Sequence, residues 1–392
     1  MFACYLGCLA LWLLMVVAYD VRLIADMEKA PQFLDYFHIV ANARLSLTAD
    51  RIHMYDPGVH LAAFNALIAP SHYYVINVFH MPPHTYLCVL PLLTVPLRTG
   101  YIIWISICAA ACIAAVLMLT SRLPARDMVI CVLLICASYP AQETFLYGQL
   151  SWIWFAAMAL VYQGLLRGQP KASLAGLAVL TLKFQYLPML LIATWFFQRK
   201  SLVWFAAICL AVAAVIFGWY GAAGVANYVD VLFKPEIPLR GLICIRELVT
   251  CVSEDPLVQR FSVLTTLIGF GIVIAVCRAA LMAGGEESKR WALALTGVCA
   301  ILFSPHSFTY DAWLLYGSWF LTLQSVNPKR LFVDASVWYR IWCIIFFLFP
   351  ALSWFGQSAL RHNSNLFYIF LETVLLIVGL CEFKRICQRA EH

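Results

Sequence analysis

Six side chains stand out in this otherwise apolar sequence: Asp35, Arg44, His80, Gln149, Lys183 and His306. Asp35 opens, and Arg44 nearly closes, the stretch "DYFHIVANARL". Lys183 lies inside "AVLTLKFQYLPMLLI" with no carboxylate near it in sequence. His80 precedes the stiff pair Pro82-Pro83, Gln149 follows Gly148 at a helix entry, and His306 sits in "SPHS". A carboxylate can take a proton from an attacking hydroxyl. A fixed cation can hold a phosphate and stabilise negative charge as it develops. Histidine and glutamine can bind hydroxyl or phosphate oxygens. Taken together these types suit an anionic, lipid-linked substrate. Each also has a plainer reading. Asp35 can cap a helix, Gln149 can bridge two helices, and the histidines can be polar residues at a membrane boundary.

The elements that position them follow from composition. Of 392 residues, 64% are hydrophobic and 12% charged, against about half and about a quarter in soluble domains. This is the composition of an all-α polytopic membrane protein. The net charge of +6 resides in short Lys/Arg clusters between apolar runs, so it signals cytoplasmic loops and not nucleic acid. The 15 cysteines lie mostly within apolar runs and show no metal-binding spacing, so neither a metal nor a cofactor is expected.

Runs able to span lie near 2–24, 101–120, 127–147, 150–166, 201–220, 261–283, 290–303, 309–324, 336–356 and 366–383. The runs 172–183 and 187–198 are short. "RGQPK" before them and "QRK" after them should both face the cytoplasm, so the pair reads as a hairpin with its turn near Lys183 on the outer side. Lys183 then lies in a recessed, wettable pocket. About 12 transmembrane helices result, with both termini inside and 84–97 re-entrant or peripheral. Residues 1–392 form one polytopic domain. Its first extracytoplasmic loop, 25–83, carries two interfacial helices, and a large one spans 221–260.

The order of the motifs resembles glycosyltransferase family 87. It runs from Asp35 through "MYD" (54–56), "PP" (82–83), "GQ" (148–149) and "AGLAVLTLKFQYLP" (175–188) to "SPHS" (304–307). The similarity covers roughly residues 30–310 and departs from the usual pattern at Met81 and at Phe184-Gln185. It implies a GT-C type membrane fold. It also implies transfer of a sugar, mannose in the best-known members, from a polyprenyl-phosphate donor to a lipid or glycan hydroxyl, with inversion. Asp35 would be the base, and Lys183 with Arg44 would face the donor phosphate. His306, Gln149 and His80 would contact substrate. The place implied is the bacterial plasma membrane, with the site facing the periplasm or exterior among membrane lipids. A transporter or flippase of a lipid-linked sugar is the alternative from another class, but no inverted repeat is visible. A polysaccharide ligase or polymerase is a third.

Overall fold

The computed structural model describes residues 2–25, 34–69, 81–233, 242–252, 255, 264–305, 307–323, 335–360 and 364–390. These residues are overwhelmingly helical, and no β-strand occurs among them beyond one isolated bridge between Leu242 and Phe308. The apolar runs become α1 (Phe2–Ala25), α5 (Leu97–Thr120), α6 (Ala125–Cys136), α7 (Tyr139–Tyr147), α8 (Ser151–Arg167), α9 (Pro170–Leu180), α10 (Leu187–Phe197) and α11 (Arg199–Phe233). After α12 (Ile245–Val252) come α13 (Thr265–Ala283), α14 (Glu286–Leu302), α15 (Leu315–Leu323), α16 (Val337–Leu360) and α17 (Ser364–Ala390). The first loop supplies α2 (Leu34–Leu45) and α3 (Pro57–Ile68), and α4 (Pro83–Leu87) begins at the proline pair.

Among the described residues, seven helical segments are long and apolar enough to cross a membrane, and the α6–α7 pair, bent by 67°, makes up to eight. The expected count of about 12 also takes in the 17-residue helices α8 and α14, the nine-residue α15, and a division of 170–197 into two. That last run passes as one apolar span of 28 residues. Its course shows a hairpin instead. Ser173, near its start, packs tightly against Gly164 of α8. Gln198, just past its end, donates to the Gly164 carbonyl at 3.5 Å. Both ends therefore meet the same turn of α8, and the chain reverses between them. The reversal centres on Lys183, whose backbone leaves the helical region (φ −153°, ψ 97°).

The core centres on α8 and α14, which are buried along almost their whole length. Trp154, Trp291, Trp313 and Trp342 are the largest fully enclosed side chains. Two sequence expectations change. In α2 not only the apolar positions are buried: His38 and Asn42 are as well, and Arg44 alone is exposed from Tyr36 to Ser46. His38 Nδ1 meets His60 Nε2 of α3 at 2.6 Å, and His60 Nδ1 meets Asn42 Oδ1 at 2.7 Å, so these polar atoms satisfy one another away from water. In the span 221–260, residues 222–233 continue α11 as helix beyond a break at Gly221 (φ 67°).

Candidate active site

The site is assembled at the end of the bundle where α2, the α7–α8 turn, the Lys183 reversal and the 307–314 turn meet. Asp35 lies in the first turn of α2. It does not serve as a simple cap: its carboxylate accepts a hydrogen bond from Gln149 Nε2. Gly148 makes this approach possible. It adopts φ 68°, a left-handed conformation that favours glycine, and a Cβ there would lie 2.8 Å from Tyr36 Cβ. Gln149 Oε1 is buried and has no hydrogen-bond partner among the described residues. Burial pushes the Asp35 carboxyl up to about 6, against the opposing effects of the Gln149 hydrogen bond and the Lys183 charge. A base with that value is ionised at neutral pH yet still basic enough to take a proton.

Lys183 has a counter-ion after all. Its Nζ lies 3.6 Å from Asp311 Oδ2, and the Asp311 side chain is fully enclosed. Sequence alone could not supply this partner, because it arrives from a turn far along the chain. Asp311 is held from three more directions. Ser151 Oγ donates to Oδ1 at 2.6 Å, the Phe308 backbone N–H to Oδ2 at 3.3 Å, and Gln185 Nε2 to Oδ2 at 3.4 Å. Gln185, one of the departures from the family pattern, thus helps fix the carboxylate. The lysine ammonium also sits over Trp154 at 4.2 Å and Tyr310 at 5.2 Å from the ring centres. Such faces stabilise a cation that has lost water. A 3.6 Å pair with aromatic walls leaves the ammonium able to bind a further anion.

Glu143 is a carboxylate of the site that composition and motif did not single out. Tyr139 OH and Thr309 Oγ1 donate to it at 2.9 and 2.7 Å. It interacts electrostatically with both Asp35 and Asp311. The proline-led α4 packs on the Lys183 reversal: His84 Nε2 is 3.2 Å from Thr181 Oγ1, and Thr85 Oγ1 donates to the Leu182 carbonyl at 2.7 Å. From the other side, the Ile243 N–H donates to the Ser307 carbonyl at 2.8 Å and Arg246 Nη1 to the Pro305 carbonyl at 2.8 Å.

Of the six residues read from sequence, Asp35, Gln149 and Lys183 come together. Arg44 does not: it is exposed at the last turn of α2, about 13 Å along the helix axis from Asp35. His80 and His306 lie outside the described residues. The described residues hold no group of three or more His, Cys, Asp or Glu side chains fit for a metal ion. The arrangement sets a half-buried carboxylate in the field of a caged cation, a pairing able to deprotonate a nucleophile while stabilising an anionic leaving group.

Residues 79–305, more than half of the chain, match the family model of glycosyltransferase family 87. No curated protein matches the chain significantly.

Proposed function

The chain belongs to glycosyltransferase family 87, a membrane glycosyltransferase family, and from that membership we propose a specific transfer. A sugar, mannose in this reading, passes from a polyprenyl-phosphate donor to a hydroxyl of a lipid or glycan acceptor, with inversion. Asp35 takes the proton of the acceptor hydroxyl. The hydroxyl oxygen forms its bond to the anomeric carbon as the bond from that carbon to the phosphate oxygen breaks. The electron pair leaves with the polyprenyl phosphate, whose charge rises by one. Lys183 faces that phosphate and lowers the barrier by binding the developing charge. Asp311 keeps the lysine extended and charged between turnovers, and Gln149 orients the base. The acceptor and donor are presented at the outer face of a plasma membrane.

The observation that carries this reading is that Asp35 and Lys183 fall within one electrostatic cluster, although one comes from α2 and the other from the α9–α10 reversal. A buried lysine with only structural duties would need no carboxyl base beside its counter-ion. The test is purified protein incubated with polyprenyl-phosphate mannose and a membrane lipid extract, with mass spectrometry of the products. A hexose added to a lipid or glycan, absent with Asp35→Asn, is the expected result. Transfer by Asp35→Asn at the native rate would remove Asp35 as base. Transfer of a different sugar would retain the chemistry and replace the donor.

A further inference from the structure

A cavity of about 270 Å³ lies away from the Lys183 side of the site, between α1, α5, α6 and α7. Its walls are aliphatic, drawn from residues such as Leu13, Val17, Ala109, Val116 and Val132. From Leu13 to Ile24 it follows α1 for about 16 Å, so it is a slot running along the helix axes and not a round hole. The α1 wall is thin cover, since only 11% of that span is buried. Two polar side chains, Asp20 and Gln142, break the apolar lining. Asp20 is 3% exposed, lines the slot, and its Oδ1 has no hydrogen-bond partner among the described residues. A buried carboxyl oxygen without a partner is costly in such surroundings unless something polar meets it there.

The slot is one aromatic layer from the base. Asp20 interacts with Tyr101, and Tyr101 packs edge-on against Tyr36 at 5.2 Å, the residue next to Asp35. Helix α7 serves both places. Gln142 and Phe145 line the slot, while Glu143 and Thr144 bond to Thr309 and to the Tyr310 carbonyl on the catalytic side.

We propose that the slot between α1 and α5–α7 binds the hydrocarbon chain of the acceptor, a lipid that presents a hydroxyl to Asp35. Length, straightness and apolar lining suit one extended chain. Charge separates the two substrates. Among the described residues the slot lining contains no cation, and Lys183, which faces the anionic donor in the reaction proposed above, is not part of it. Asp20 then meets a neutral hydroxyl or ester oxygen near the head of the chain. This inference rests on the transfer reaction proposed above.

The test has a binding arm and a kinetic arm, both on the full chain in nanodiscs. In the first, a hexadecyl mannoside carrying a chain-end diazirine is photolysed and its adducts are mapped by peptide mass spectrometry. Adducts should fall on α1, α5 and α6 facing the slot and disappear in Ala109→Trp. In the second, Ala109→Trp should raise KM for the hexadecyl mannoside at least about tenfold, the worth of roughly two buried methylenes. KM for a butyl mannoside and for the donor should not move. Val17→Trp fills the slot from the opposite wall and should behave alike if Ala109→Trp folds poorly. Ile103→Trp, on the exposed face of α5, is the control and should change nothing. Adducts spread over exposed faces such as Ile103, or a rise in donor KM, would overturn the proposal. Slot adducts that vanish in Ala109→Trp, in a protein that transfers nothing, would retain the chain site and reject the transfer reaction.

Discussion

The two ends of the bundle treat charge in opposite ways. At the end remote from Asp35, Arg290 pairs with Glu286 one turn away, and Arg385 with Glu382. Ser336 Oγ adds a hydrogen bond to Glu382, and Lys289 donates to the Leu165 carbonyl. Both close ion pairs lie within one helix turn, although Lys289 reaches across to α8 and Arg122 also meets Glu286 at 3.6 Å, and Glu286 is half exposed. At the other end, Asp35, Glu143, Lys183 and Asp311 come from four separate elements, with the lysine 3.6 Å from its counter-ion and Gln149 Oε1 unpaired. Local pairing completes a helix terminus. Long-range pairing with spare polar atoms marks a place where a substrate completes the set.

The strongest way to sharpen this contrast is Asp35→Asn. Transfer should fall by about 10²–10⁴, read by single-turnover mass spectrometry. In the native protein kcat/KM should rise with pH through about 6, as the carboxyl loses its proton. Stability should run the opposite way. The folded carboxyl holds its proton more tightly than the unfolded one, so its contribution is complete below about 4 and is lost as pH rises through about 6. Asp35→Asn should therefore raise Tm at pH 7.5 and not at pH 4. A Tm that drops at pH 7.5 would make Asp35 a structural acceptor for Gln149.

Next in size is the caged cation. Lys183→Met leaves Asp311 buried without its partner, so thermal unfolding should show a loss of about 3–5 kcal/mol. The double variant Lys183→Met/Asp311→Asn should regain most of that stability and none of the transfer. Recovery of transfer by the double variant would show the pair to be scaffolding only.

A smaller effect is expected for Gly148→Ala. The left-handed backbone alone costs about 1–2 kcal/mol, and the crowded Tyr36 should shift α2. Activity should then fall with little change in donor affinity, by isothermal titration. Smallest of all is Glu286→Gln at the remote end, where the carboxylate is half exposed and its amide replacement can still accept from Arg290, so the change is worth less than about 1 kcal/mol. Tm should barely move and transfer should be native. A large loss of transfer there would erase the distinction between the two ends.

Much of this architecture is legible in the sequence, because apolar periodicity and Lys/Arg placement depend on the membrane and not on tertiary detail. The hairpin at Lys183 is an example, as are the two helices of the first loop. Asp35, Gln149 and Lys183 are legible as anomalies of burial. The partner of Lys183 is not, since Asp311 lies on a turn after α14 and nothing local joins the two. Glu143 looks like an ordinary helix-surface residue until Thr309 is folded against it. Arg44 stands apart from that group for a geometric reason: nine residues along a helix carry it about 13 Å from Asp35, at the one exposed position between Tyr36 and Ser46.

The α9–α10 hairpin also bears on the shape of the lipid around it. From Pro170 to Lys183 the arm rises about 20 Å, whereas the hydrocarbon core of a bilayer is about 30 Å thick. The arm is roughly a third shorter than that core is thick. A bilayer that meets so short an element thins beside it or lets headgroups and water sink in. On the transfer proposed above, the lipid surface dips towards Lys183, and the lipid-linked phosphate slides down that slope to the lysine without its chain ever leaving the leaflet.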